Sequence, residues 1–134
     1  MPRSLSAVAL GLLLSGSTIG AHHAISAIYD NSKPITIQGT VVEFQFVNPH
    51  PFLVIDVADE HGKSEPWKLE MDNRYELVEI GVAVDTFKHG DRIVVTGGPA
   101  RGRSHALYAL RIDRAADGLR YEQIGTSPRI TRAR

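Results

Sequence analysis

"ITIQGTVVEFQF", residues Ile35 to Phe46, decides the fold. Apolar residues alternate with polar ones along it, the period of a half-buried strand. The phase changes midway: Ile35 and Ile37 share one parity, whereas Val42, Phe44 and Phe46 share the other. Gly39 lies between the two sets. A glycine at a phase shift predicts a bulge or sharp bend there, and a backbone angle that other residues resist. Asn48-Pro-His-Pro51 then ends the strand, because two prolines so close together cannot sit in a central ladder.

Downstream, Phe52-Leu-Val-Ile-Asp-Val57 reads as a second strand and Asp59-Glu-His-Gly62 as a hairpin turn. Trp67, Leu69 and Met71 alternate with Lys68 and Glu70, which predicts a third strand. Asp72 or Asn73 can cap a short helix through Ile80, stopped by Gly81. Lys88-His-Gly-Asp91 turns into a fourth strand, Arg92 to Gly97, and Ala106 to Ile112 makes a fifth. Three strands, a helix and two strands, with a long bent first strand, describe an all-β OB-like five-stranded Greek-key barrel. A small open β-sandwich is the alternative, because strand order alone does not show closure. The expected barrel covers residues 34–118, with a polar C-terminal tail over 119–134. Val42, Phe44, Leu53, Ile55, Trp67, Leu69, Ile93, Val95, Tyr108 and Leu110 are its expected core.

Upstream, residues 1–21 read as a signal peptide. Arg3 charges a short beginning, Ala7 to Leu14 is apolar, and Ser15 to Ala21 is small and mostly polar. The apolar block is shorter than the about 20 residues a membrane span needs, and no later stretch qualifies. The expectation is an exported protein, periplasmic or extracellular, not membrane-spanning, with an N-terminal arm over residues 22–33. The chain has 15 Lys plus Arg and 15 Asp plus Glu. Removing Arg3 with the signal leaves 14 against 15, a net charge of −1. Such a balance lacks the basic footprint of a nucleic-acid binder. Without cysteine there is no disulfide framework, thiolate metal site or Cys nucleophile, so core packing has to hold the domain together.

Of the six histidines, His61, His89 and His105 fall in turns and are expected to be solvated. His50 differs: prolines on both sides stiffen its backbone, which suits either a binding site or a structural hydrogen bond. His22 and His23 follow the signal. Cleavage after Ala21 gives His22 a free amine, which chelates one ion together with its own ring nitrogen. Cleavage after Gly20 leaves Ala-His-His, whose amine, amides and third-position imidazole wrap Cu²⁺ in a plane. Both termini favour Cu²⁺, with Zn²⁺ as the weaker alternative. His22, His23 and His50 are therefore the candidate metal ligands, with Glu70, Asn48 and Trp67 as supporting candidates. Glu70 reaches such a site only if its strand face meets the Asn48–Pro51 loop. No residue is assigned a catalytic role. No nucleophile elbow surrounds any serine, Gly97 to Gly102 lacks the features of a phosphate loop, and no His-Glu-x-x-His occurs.

Taken together, Ala21-His-His23, Gly39-Thr-Val41, Asn48-Pro-His50, Trp67 with Glu70, Lys88-His-Gly-Asp91, Val95-Thr-Gly97 and Pro99-Ala100 resemble, in order, a family of small exported bacterial proteins of unknown function. Ala24-Ile25 stands where Ser-Phe is usual, and Phe46 where Trp is common. The resemblance implies cleavage just before His22 and supplies no activity. Three functions are compatible: a periplasmic copper-binding module, a metal-free module for a small ligand or protein partner, and a copper-dependent redox enzyme. The last comes third, because nothing in the chain names an oxidisable substrate.

Overall fold

Strand β1 (Ile35–Gln45) makes two pairings at once. Its first half runs antiparallel to β4 (Arg92–Pro99) and its second half antiparallel to β2 (Phe52–Ala58). Thr40 is the switch point, opposite Arg92 on one side and Asp56 on the other. β2 pairs with β3 (Ser64–Glu70). Lys68–Glu70 of β3 then pair in parallel with Ala106–Tyr108 of β5 (Ala106–Arg114), and β5 pairs with β4. The ring closes in the order β1-β2-β3-β5-β4, the OB-like order expected from the sequence. Its closure excludes the open sandwich. The computed structural model that shows this describes residues 24–133.

Two short helices accompany the strands. Residues 24–28 form α1, ahead of the barrel, and α2 (Arg74–Glu79) lies between β3 and β4. Asn73 caps α2, its side-chain oxygen accepting from the Glu76 amide at 2.9 Å. Gly81, at φ +90°, supplies the left-handed residue that ends it. Among the described residues no helix is long and apolar enough to cross a membrane.

The core gathers Val41, Leu53, Ile55, Leu69, Ile93, Val95, Leu107 and Ile112, all buried. Two expected members are displaced by bulges. The β1–β2 register shifts between Val41 and Glu43, so Val42 is the extra residue and is 37% exposed, while Val41 is 0% exposed. A second shift, between Thr96 and Gly97, makes Leu110 the extra residue of β5 and leaves it half-buried. Tyr108 is buried but faces away from that core, against Tyr29 of the arm. Trp67 packs on the core from a half-buried position.

The bulge of β1 thus lies at Val42 and not at Gly39. Gly39 also lacks a positive φ. Its constraint is space: a Cβ there would lie 2.5 Å from the Asp56 carbonyl oxygen. β1 and β2 approach so closely beside the switch point that only hydrogen fits at Gly39.

Residues 119–131, expected as a polar tail, form a hairpin of β6 (Leu119–Ile124) and β7 (Ser127–Thr131). The edge of β5 that faces β3 near Ala106 pairs with β6 further on, from Arg111 to Arg114. The hairpin therefore leaves the barrel as an extension of the same sheet. Leu119 and Tyr121 are buried, which a solvated tail could not achieve.

Candidate functional site

The Asn48–Pro51 loop is fastened to the segment after β3 by backbone bonds. The Met71 amide donates to the Pro51 carbonyl at 3.0 Å, and the Arg74 amide to the Pro49 carbonyl at 2.9 Å. Held between them, the His50 ring places Nδ1 2.8 Å from the Met71 carbonyl oxygen. A carbonyl only accepts, so Nδ1 carries the hydrogen. In the tautomer that carries this hydrogen, the ring's lone pair is on Nε2. The structural reading of His50 is the one seen here: its Nδ1 fastens the loop to the Met71 carbonyl.

Glu70 ends β3 on the face opposite Leu69, and this face meets the loop. Its Oε1 lies 3.6 Å from His50 Nδ1, and the two side chains are only 14% and 16% exposed. Its other oxygen, Oε2, accepts from the Tyr29 hydroxyl at 2.6 Å. Tyr29 is 3% exposed and its ring centroid lies 5.8 Å from that of Tyr108. Burial and the adjacent Glu70 carboxylate both push the Tyr29 hydroxyl far above its ordinary range, so it stays a donor.

Tyr29 is there because the arm folds back over the barrel. The Asp30 amide donates to the Pro99 carbonyl at 2.9 Å and the Arg101 amide to the Ile28 carbonyl at 2.8 Å. Tyr29 and Ala100 form an isolated bridge, and Arg101 Nη1 lies 3.5 Å from Asp30 Oδ2. The arm thus delivers the chain from α1 onto the end of the barrel that holds His50 and Glu70. His22 and His23 lie outside the described residues, immediately before α1.

Other sequence candidates are placed elsewhere. Asn48 is exposed and takes no part in the hydrogen bonds of this cluster. Trp67 stacks on His105, with ring centroids 4.9 Å apart, rather than on His50. Each of the turn histidines has a partner, which for the exposed His61 is Glu60 Oε1 at 3.4 Å. His105 Nε2 lies 3.0 Å from Glu65 Oε2, and His89 Nδ1 lies 3.0 Å from the carbonyl oxygen of the bulged Val42. His61 remains on the surface as expected. Tyr29 was not legible from strand periodicity, since it precedes the first strand. Its one signal is that it is the only aromatic ring of Tyr, Phe or Trp type in the arm.

His50 and Glu70 are two donors side by side. Among the described residues no three His, Asp or Glu side chains converge as a metal site. A family model described as a family of unknown function (DUF6152) matches residues 11–108. The matched span ends in β5, so β6 and β7 lie beyond it. No curated protein matches the chain.

Proposed function

The chain belongs to this family of unknown function, and from the site itself we propose that the mature, exported protein is a periplasmic module that binds one Cu²⁺ ion. His22, with its free amine, and His23 supply nitrogen donors, and His50 Nε2 completes the set. Glu70 stands beside His50 as an orienting carboxylate. The observation that carries this reading is the contact of His50 Nδ1 with the Met71 carbonyl oxygen. The ring's Nδ1–H is used by Met71, which leaves Nε2 as a ready ligand beside a carboxylate that the N-terminal arm itself grips through Tyr29. Five residues, those of α1, separate His23 from Tyr29, a rise of roughly 9 Å along a helix, so the terminal donors start close to the arm that grips Glu70. Nitrogen donors in a tetragonal arrangement select Cu²⁺ over Zn²⁺.

The test is calorimetry with Cu²⁺ on the mature protein and on the same chain carrying one extra residue before His22. The extra residue removes the terminal chelate and should weaken binding at least tenfold. Unchanged affinity would exclude the amine as a ligand.

A further inference from the structure

A second site is built where the β6–β7 hairpin leaves the barrel. Strand register sets Gln38 opposite Val94, Val94 opposite Asp113, and Asp113 opposite Arg120. This row crosses from β1 to β6 on the outer face of the sheet and continues into β7. It lines an open groove of about 750 Å³, within the range of small-ligand pockets. Val94 is 38% exposed on its apolar floor. Four arginines line the groove in different electrostatic states, and Arg114 is neutralised by Asp91 and Asp117. Arg120 is held by Asp113 at 2.6 Å. Arg132 has its nearest carboxylate, Asp117, at 3.8 Å. Arg92 is exposed, and its guanidinium forms no ion pair, hydrogen bond or ring contact among the described residues. The chain as a whole carries as many acids as bases, so this excess of cations is local.

An apolar floor beside an uncompensated planar fork is complementary to one kind of molecule. We propose that the groove binds a small organic carboxylate, its apolar body on Val94 and its carboxylate on Arg92, with Arg132 adding attraction from the rim. Guanidinium matches carboxylate through two parallel hydrogen bonds, which a neutral amide cannot reproduce. The groove shares no residue with His50, Glu70 or Tyr29, so this inference does not rest on the metal reading.

The experiment is a titration of the mature protein with 1-naphthoate, followed by backbone amide chemical shifts, with 1-naphthamide as the neutral isostere. Saturable shifts are expected at Val94, Asp113 and Arg120. The amide should bind about tenfold more weakly, and Arg92→Gln should lose about as much for the acid. Arg92→Lys keeps the charge without the fork and should fall between. Arg129→Gln, whose native partner is Glu122 on a neighbouring row, should change nothing. Equal binding of acid and amide would overturn the proposal. So would unsaturable shifts, shifts centred away from the groove, or equal losses in Arg92→Gln and Arg129→Gln. The amide spectrum of each variant reports its fold, and Arg92→Lys carries the test alone if Arg92→Gln does not fold.

Discussion

The Tyr29 hydroxyl donates to Glu70 Oε2 across 2.6 Å, although 41 positions separate the two residues. This bond ties the arm to the end of β3, and through Glu70 to the loop that carries His50. Tyr29→Phe keeps the ring against Tyr108 and removes only the hydroxyl. Hydrogen bonds to charged groups contribute about 1.5–3 kcal/mol, and Glu70 retains some access to water, so a loss of about 1–2 kcal/mol is expected. Denaturant unfolding measures it. Amide exchange over residues 24–30 should quicken by more than exchange in β1. If β1 loses protection equally, the arm is not a separately tethered element.

Gly39 makes a sharper test of packing. Alanine there puts a methyl group into the Asp56 backbone, so β1 and β2 must separate where β1 switches partners. Overpacking of this kind costs about 1–3 kcal/mol. Gly102 is the proper control, because a Cβ there meets nothing within 4 Å and its φ is not positive. Gly102→Ala should stay within about 0.5 kcal/mol of the parent. Similar midpoints for the two variants in urea would remove the close-approach explanation.

The hairpin beyond β5 gives a third outcome. Tyr121 is fully buried, and its hydroxyl donates to Gln123 Oε1 at 3.0 Å. Gln123 Nε2 in turn donates to buried Asp72 at 2.7 Å, beside the cap of α2. Tyr121→Ala opens a cavity and breaks this chain, so about 3–5 kcal/mol should be lost in denaturant unfolding. A change below about 1 kcal/mol would return residues 119–131 to the status of a loose tail.

These three positions also show what sequence reading can reach. The barrel was legible because Ile35 and Ile37, and Trp67, Leu69 and Met71, alternate with polar neighbours, while Phe52 to Val57 is an apolar run bounded by turn residues. Val42 and Leu110 misled because each is the extra residue of a bulge, and a bulge reverses parity without altering composition. The hairpin was hidden by its outer row, Arg120, Glu122, Arg129 and Thr131, which makes the segment read as polar although Leu119, Tyr121 and Pro128 are buried. At the site, His50 was legible from its prolines. The position of Glu70 depended on which loop its strand face met, a tertiary fact that no local pattern encodes. Tyr29 needed the arm to fold back, and nothing in its own neighbourhood required that.

Acid stability should report the opposite end of β5. Arg114 is buried and fastens three elements at once. It donates to Asp117 through Nε at 2.9 Å and Nη2 at 2.8 Å, to the Thr86 carbonyl at 2.6 Å, and to Asp91. The guanidinium holds the Asp117 carboxyl down to about 2. A depressed folded-state value means that the contribution is fully present above the unfolded carboxylate value, near about 3.9, and is lost as pH falls towards 2. The parent should therefore exceed Asp117→Asn in stability at neutral pH, and the gap should close between about pH 4 and 2. A gap that is constant across that window would mean that the carboxylate's charge contributes nothing there.

The copper proposal predicts which nitrogens surround the ion. Terminal amine, His22 and His23 belong to the arm, whereas His50 belongs to a loop fastened by Met71 and Pro51. If the arm closes on the loop, the Cu²⁺ electron paramagnetic resonance spectrum of the mature protein contains a nitrogen contributed by His50. His50→Gln should then change the hyperfine pattern and lower affinity about tenfold, while the extended terminus should change it further. Zn²⁺ should occupy the same donors more weakly, in keeping with the order of divalent affinities, so an excess of Zn²⁺ should displace Cu²⁺ only partly. His50→Gln also removes the bond to the Met71 carbonyl, so its unfolding midpoint has to be measured without metal as well. A spectrum and an affinity that do not change in a folded His50→Gln protein would confine copper to the terminus and leave His50 as the fastener of its loop.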